Sequence, residues 1–315
     1  MRRPFLHRAA RTIIVVFGIS VLVFLIFFAT PGTDPAARLA GRGASPETLA
    51  AVRHEYGLDR PLPLQYAALM RRLFVTRDLP SFVNRGQLVV PEVLRAAPVT
   101  LALAAGAAGL WLAAGLCIGL AGAAWRGAGA VVSALGLVGV SVPVFWLGEV
   151  VNLLTQSRLR DPWFAWVPPL GLRAETWAEW LAGMILPWST LAVLYAGIYG
   201  RVLRTSLEHA YAQDYIRTAR AKGLSEARVL LRHALRNALV PVVALFGLDF
   251  GALVGGGTLL VEVVFGLHGI GKLTYDGLQT LDLAMVMACV LYAAVFVVLA
   301  NAAADALQAA LDPRV

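Results

Sequence analysis

Charges in this chain fence off long apolar runs, and that spacing restricts the possible fold more than any other feature. Arg11 and Asp34 bracket Thr12–Thr30, Arg95 and Arg126 bracket Ala96–Trp125, and Arg126 and Glu149 bracket a run that continues to about Ser157. Glu179 and Arg201 bracket Trp180–Gly200, and Asp282 and Asp305 bracket Leu283–Ala304. Between Arg236 and Glu262 the only charge is Asp249. A helix needs about 20 apolar residues to cross roughly 30 Å of hydrocarbon, and in lipid it must satisfy its own backbone polar groups. The expected fold is therefore an all-α integral membrane protein with six transmembrane helices. Composition agrees: of 315 residues 59% are hydrophobic and 15% charged, against about 45–50% and about 25% in soluble domains.

The first run resembles a secretory signal in being preceded by Arg2, Arg3, Arg8 and Arg11. It is longer than a signal core of about 7–15 residues, and Pro31 directly after Phe28-Ala29-Thr30 makes a poor cleavage site, so a retained helix is expected. Cys117 and Cys289 each sit inside an apolar run and read as buried, inert thiols, which excludes a disulfide scaffold. The net charge of +8 is explained by where the cations lie against the membrane, without nucleic acid as a partner.

Basic residues alternate between the connecting segments. The N-terminus carries four, the tight link between the second and third runs carries Arg126, and residues 201–236 carry eight. On the opposite face, residues 156–179 carry three and 262–282 carry one, while 31–95 carries nine but is long enough to escape the positive-inside rule. Both termini are thus expected in the cytoplasm, with Trp163, Trp166, Trp177 and Trp180 forming an aromatic belt at the outer interface. The chain divides into a cytoplasmic N-terminus and first helix (1–30), an extracytoplasmic loop domain (31–95) and a five-helix core (96–315).

In the outer loop, Ser45 is placed to cap a helix over Pro46–Tyr56, with Glu47 in its first turn and Gly57 closing it. That loop could be a scaffold on the membrane face or a surface for an external partner. Farther on, Gly266-Leu267-His268-Gly269-Ile270-Gly271-Lys272 imitates a nucleotide-binding loop, but Leu273 follows where a Ser or Thr hydroxyl would be needed for Mg²⁺. A glycine-rich re-entrant turn is the expected structure there.

Residues 201–236 are too polar to span the membrane and too well punctuated to be disordered. Asp214 opens a short helix, Tyr215-Ile216-Arg217-Thr218-Ala219-Arg220-Ala221-Lys222, which Gly223 is placed to end in the left-handed region. Leu224 and Ser225 follow, and Ser225 with Glu226 opens a second helix bearing Arg228, Arg232 and Arg236 along one face. A helix–glycine–helix elbow hung below the bilayer results. Ala219 and Ala221 would let another surface approach closely, and Arg217, Arg220 and Lys222 supply charge. A basic segment held on anionic lipid is the alternative, but it leaves the central glycine unexplained.

The string Asp214 to Val243, DYIRTARAKGLSEARVLLRHALRNALVPVV, resembles the coupling segment of the inner-membrane permeases of the dipeptide/oligopeptide/nickel ATP-binding-cassette importers. Other parts of the chain are similar to the same family. They are Pro31-Gly32-Thr33-Asp34-Pro35, Tyr56-Gly57-Leu58-Asp59-Arg60-Pro61 with Gln65-Tyr66, Gly247-Leu248-Asp249-Phe250-Gly251-Ala252-Leu253, and Leu311-Asp312-Pro313-Arg314. Thr33 is an insertion relative to the family motif, and Arg77-Asp78-Leu79-Pro80 stands where relatives tend to carry Gly-Asp-Leu-Gly. Arg217-Thr218-Ala219 ahead of Gly223 matches the peptide/nickel variant of the wider Glu-Ala-Ala signature.

The resemblance implies a type I importer permease in a bacterial inner membrane, non-catalytic and binding no cofactor itself. Its implied partners are a second homologous permease, two cytoplasmic ATPases that carry the ATP and Mg²⁺, an outer substrate-binding protein, and membrane lipid. Coupling would fall on Asp214, Tyr215, Arg217, Thr218, Ala219, Ala221, Lys222, Gly223 and Leu224.

Two carboxylates, Glu149 and Asp249, interrupt apolar runs and should face protein or a water-filled cavity, which makes them candidates for a translocation path. A structural hydrogen bond to a neighbouring helix is the other explanation for each. An ion channel or secondary transporter working alone would show internal repeats or a charged pore ring, and no convincing repeat links the two halves. A membrane-embedded enzyme is disfavoured because His7, His54, His209, His233 and His268 are scattered with no metal-ligand spacing.

Overall fold

The computed structural model of the chain describes residues 2–28, 36–37, 45–55, 57–84, 86–125, 127–156, 170 and 176–311. The helices, in order, are α1 (Arg2–Phe28), α2 (Pro46–Glu55), α3 (Leu62–Met70), α4 (Val89–Ala124), α5 (Ala128–Ser141) and α6 (Val144–Gln156). They continue with α7 (Trp177–Tyr211), α8 (Asp214–Ala221), α9 (Glu226–Gly257), α10 (Leu259–Val264), α11 (Ile270–Thr280) and α12 (Leu283–Leu311). Among the described residues there is no strand; Pro80 and Leu88 form an isolated bridge. Internal contacts divide the chain into two compact units, residues 1–100 with 268–298 and residues 101–267 with 299–315.

In the first unit the apolar faces of α1, α3, the start of α4 and the start of α12 share one core. Phe24, Leu73, Val89, Val93, Ile270 and Met287 are among its buried members. Helix α3 continues into a π turn, Arg71–Thr76, which ends at Arg77 in the left-handed region. Tyr66 on α3 joins it to α1: its hydroxyl lies 2.6 Å from Ser20 Oγ, and its ring meets Phe17 and Phe24 edge-on. Tyr292 on α12 donates to the Leu73 carbonyl at 3.1 Å and stacks on Phe74. Helix α2 forms nearly as expected, with Ser45 Oγ accepting from Thr48 N and Gly57 following it at φ +65°.

In the second unit α7 is the central post, with α4, α5 and α9 against it. The helices approach through small residues, since without a hydrophobic driving force in lipid, close backbone contact is what holds helices together. Gly139 on α5 illustrates this: a Cβ there would stand 2.9 Å from the Val193 carbonyl oxygen and 3.0 Å from that of Leu194. Helix α9 carries Pro241 and two π turns, Val229–Ala234 and Leu253–Gly257, the usual causes of bends in a long helix.

By length and composition, four described helices can cross a membrane: Val89–Ala124, Trp177–Tyr211, Glu226–Gly257 and Leu283–Ala303. The apolar part of α1, Ile13–Phe28, is shorter. The third expected span is not one helix but two, α5 and α6. Val142 is extended (φ −94°, ψ 120°) because the ring of Pro143 disfavours a helical residue before it. Helix α7 runs 35 residues, about 52 Å at 1.5 Å per residue, well past its expected 180–200 limits. Charge marks where lipid ends, and the backbone helix continues beyond that boundary.

Of the two thiols, Cys289 is buried as expected, while Cys117, expected to be buried, is exposed on α4. Trp177 and Trp180 open α7 in edge-to-face contact. The Pro31–Pro35 motif, Tyr56, Arg126, Trp163, Trp166 and Asp312–Arg314 lie outside the described residues.

Candidate functional site

The elbow is built by ordinary helix-end chemistry. Helix α8 starts after extended Gln213 (φ −80°, ψ 149°), Thr218 Oγ1 donates to the Asp214 carbonyl, and Arg217 lies 3.4 Å from the Asp214 carboxylate. At the other end Gly223 (φ +74°) donates to the Arg220 carbonyl at 2.9 Å, and Leu224 N donates to the Ala219 carbonyl at 3.4 Å. This pair of bonds is a Schellman termination, which needs a residue in the left-handed region at the position of Gly223.

The inner and outer faces of α8 are distinct. Ile216 and Ala219 are buried, at 0% and 6% exposure, and the helix packs on the π turn Val229–Ala234. Asp214, Tyr215, Arg217, Thr218, Ala221, Lys222 and Gly223 are exposed, and Leu224 is half-buried. The close approach that Ala219 permits is therefore to this chain's own α9, whereas Ala221 lies on the open side.

Arg220 braces the bend. Its Nε and Nη2 donate to the two carboxylate oxygens of Glu226 at 2.8 and 3.0 Å, and its guanidinium sits 5.5 Å from the Tyr211 ring centroid. The bonds to Glu226 push the Arg220 pKa up from its ordinary value, so this fork stays charged. Tyr215 Oη accepts from Asn237 Nδ2 at 2.9 Å, a second link to α9.

The two carboxylates singled out in the sequence are not in contact with each other. Asp249 Oδ2 accepts a 2.9 Å hydrogen bond from Tyr199 on α7. Around this pair Trp111 lies 4.6 Å from Tyr195, 6.0 Å from Tyr199 and 6.0 Å from Phe246, and Phe246 stacks on Phe250. Trp111 and Tyr199 are fully buried, but Asp249 itself is only half-buried, at the margin of the aromatic cluster. Glu149 is exposed on α6, and among the described residues it has no hydrogen-bond or ion-pair partner.

Two other acids, used in the sequence only as fence posts, are buried. Glu262 is 0% exposed and accepts from Thr258 Oγ1 at 2.8 Å. Asp282 is 2% exposed and gathers three donors: Ser81 Oγ, Phe82 N at 3.1 Å and Met285 N at 3.2 Å. It thereby caps α12 and ties the segment at Ser81 and Phe82 to it. Near the nucleotide-loop look-alike, Gly266 (φ +65°) makes the bend, and Lys272 Nζ is paired with Asp276 at 2.8 Å within α11.

The fold and site together define an all-helical chain with four described helices long and apolar enough to cross a membrane and a braced, solvent-exposed helix–glycine–helix elbow. Residues 115–315 match the family of binding-protein-dependent transport system inner membrane components, and residues 1–104 match the N-terminal domain of such membrane components. The chain belongs to this family of ATP-binding-cassette permeases. It is 38% identical, over 98% of both chains, to a Brucella abortus (strain 2308) protein with the provisional name peptide transport system permease protein. It is 35% identical to the glutathione transport system permease protein GsiC of Pectobacterium atrosepticum, over 100% of this chain and 99% of that one. The GsiC of Salmonella choleraesuis is also 35% identical, over 94% and 93% of the two chains.

Proposed function

We propose that this chain is the permease subunit of an ATP-driven importer of peptides or related small solutes. It forms half of the translocation path beside a second, homologous permease, takes substrate from an outer binding protein, and rests on two cytoplasmic ATPases. In this reading it has six membrane crossings, α5 and α6 together supplying one, and both termini are cytoplasmic. It catalyses nothing itself, and ATP and Mg²⁺ belong to the ATPases. The observation that carries the reading is the elbow: a short helix with an open polar face, locked to α9 by the Arg220–Glu226 fork and the Tyr215–Asn237 bond. A lever must be stiff if nucleotide at one site is to bias a gate at another, because coupling is a free-energy difference carried by a two-state element.

Cross-linking tests it. With Cys117 and Cys289 replaced by serine, Ala221→Cys should cross-link to a co-expressed ATPase subunit, with a yield that changes when a non-hydrolysable ATP analogue is added. Leu248→Cys, at 68% exposure on α9, should not. ATPase cross-links that avoid Ala221 and form elsewhere on the chain would overturn the assignment.

The half-buried carboxylate at Asp249 is assigned to the path, where it contacts a cationic or amine-bearing part of the substrate. Asp249→Asn is expected to alter substrate preference in uptake assays while membrane abundance stays near the parent level. Loss of the protein from the membrane would make the Tyr199 bond purely structural.

A further inference from the structure

The outer-loop motif Gly57-Leu58-Asp59-Arg60-Pro61 with Gln65-Tyr66 has no part in the lever or the path, yet it is closely held. Leu58 N donates to the Arg53 carbonyl at 2.8 Å, and Gln65 Nε2 donates to the carbonyls of both Leu58 (3.1 Å) and Arg60 (2.7 Å). Gly57 lies in the left-handed region, and the Arg60 side chain folds back so that its Nε would be 3.6 Å from a Cβ at Gly57. The rigid loop forms one wall of a cavity of about 120 Å³, well above the roughly 10–15 Å³ that one water needs.

The lining of this cavity is amphipathic. Arg60, Arg72 and His54 contribute positive charge or donors, no carboxylate among the described residues lines it, and Phe28, Leu58, Leu79 and Phe82 supply apolar surface. Among the described residues neither guanidinium forms an ion pair. Asp59 is bonded to His54 at 3.3 Å and Asp78 to Thr76 Oγ1, and each feels the neighbouring guanidinium, Arg60 and Arg72 respectively, only as a longer-range attraction. Phe28 ends the apolar stretch Ile13–Phe28 of α1, so the cavity adjoins the end of that apolar stretch. Two guanidiniums that form no ion pair among the described residues, set beside apolar surface at the end of an apolar helix, suit a phosphate group attached to acyl chains.

We infer that this cavity binds the phosphodiester of an anionic membrane lipid, with Arg60 and Arg72 as its phosphate ligands. The site lies wholly within the outer loop and α1, and it stands independently of the importer assignment because its readout is lipid retention.

The test uses the full chain, purified with whatever subunits accompany it, stripped of lipid by detergent exchange and examined by native mass spectrometry. Added phosphatidylglycerol should be retained at one more molecule per chain by the parent than by the double variant R60Q/R72Q. Affinity should fall by about tenfold or more, as expected for loss of a charge-assisted bond. Diacylglycerol with the same acyl chains should not be retained, and millimolar inorganic phosphate should not displace the lipid. Should the double variant fold poorly, R60Q alone is expected to lose the lipid while R60K/R72K keeps it. Equal retention by parent and glutamine variants would overturn the inference. Displacement by inorganic phosphate would make it a free-anion site, and displacement by a short peptide would make it a peptide carboxylate site; either result sinks the lipid assignment.

Discussion

Gly223→Val should leave the permease in the membrane and still assembled, yet abolish most transport-coupled ATP hydrolysis. Nothing lies within 4 Å of a Cβ built at Gly223, so the substitution meets no steric obstacle from neighbouring residues. Its cost is in the backbone: at φ +74° a β-branched residue is strained by about 1–2 kcal/mol or more. The chain can relieve that strain only by giving up the left-handed turn and, with it, the bonds from Gly223 to Arg220 and from Leu224 to Ala219. The elbow then sits at a different angle and no longer presents Ala221 and Lys222 in register. Coupled hydrolysis by the reconstituted complex is expected to fall about tenfold or more, since each 1.4 kcal/mol of misplacement is a factor of ten. Gly223→Asn should recover much of it, because Asn tolerates the left-handed region. A valine variant that couples at the parent rate would remove the lever from the mechanism.

Asp282→Ala is the substitution expected to cost most in stability. The carboxylate is 2% exposed and satisfies Ser81 Oγ, Phe82 N and Met285 N together. Truncation leaves buried donors without an acceptor and removes the cap of α12, a loss of about 3–5 kcal/mol when buried unsatisfied groups cost about 1–3 kcal/mol each. The detergent-solubilised chain should melt at a clearly lower temperature, and protease should begin to cut between residues 77 and 84. Asp282→Asn keeps one acceptor oxygen and should fall between the two. A melting curve that matches the parent would mean that these donors find other partners.

What the sequence revealed and what it concealed divide along a physical line. Local signals were legible: the Ser45 cap, the positive φ of Gly57 and Gly223, and the short helix from Asp214 all follow from chemistry within a few residues. The break at Val142 and Pro143 could have been read the same way, but the apolar run masked it. Pairings across long separations left no periodic trace. Ser81 and Asp282 are 201 residues apart, and an acid at the end of an apolar run looks the same whether it meets water or three buried donors. Glu262 was concealed although its partner Thr258 is only four residues away, because an acid at the end of an apolar run reads as a boundary rather than as a buried group. The direction in which Ala219 points was also hidden, since small size permits close approach without saying to what.

The strut from Arg220 to Glu226 spans the bend and is exposed to solvent. Exposed charges are weakened by dissolved ions over a distance of about 8 Å at physiological ionic strength. The stiffness of the joint is thus set partly by the electrolyte of the compartment it faces. Concentrated salt should slacken it without altering a single covalent bond, and the short helix α8 would then shift more freely against α9.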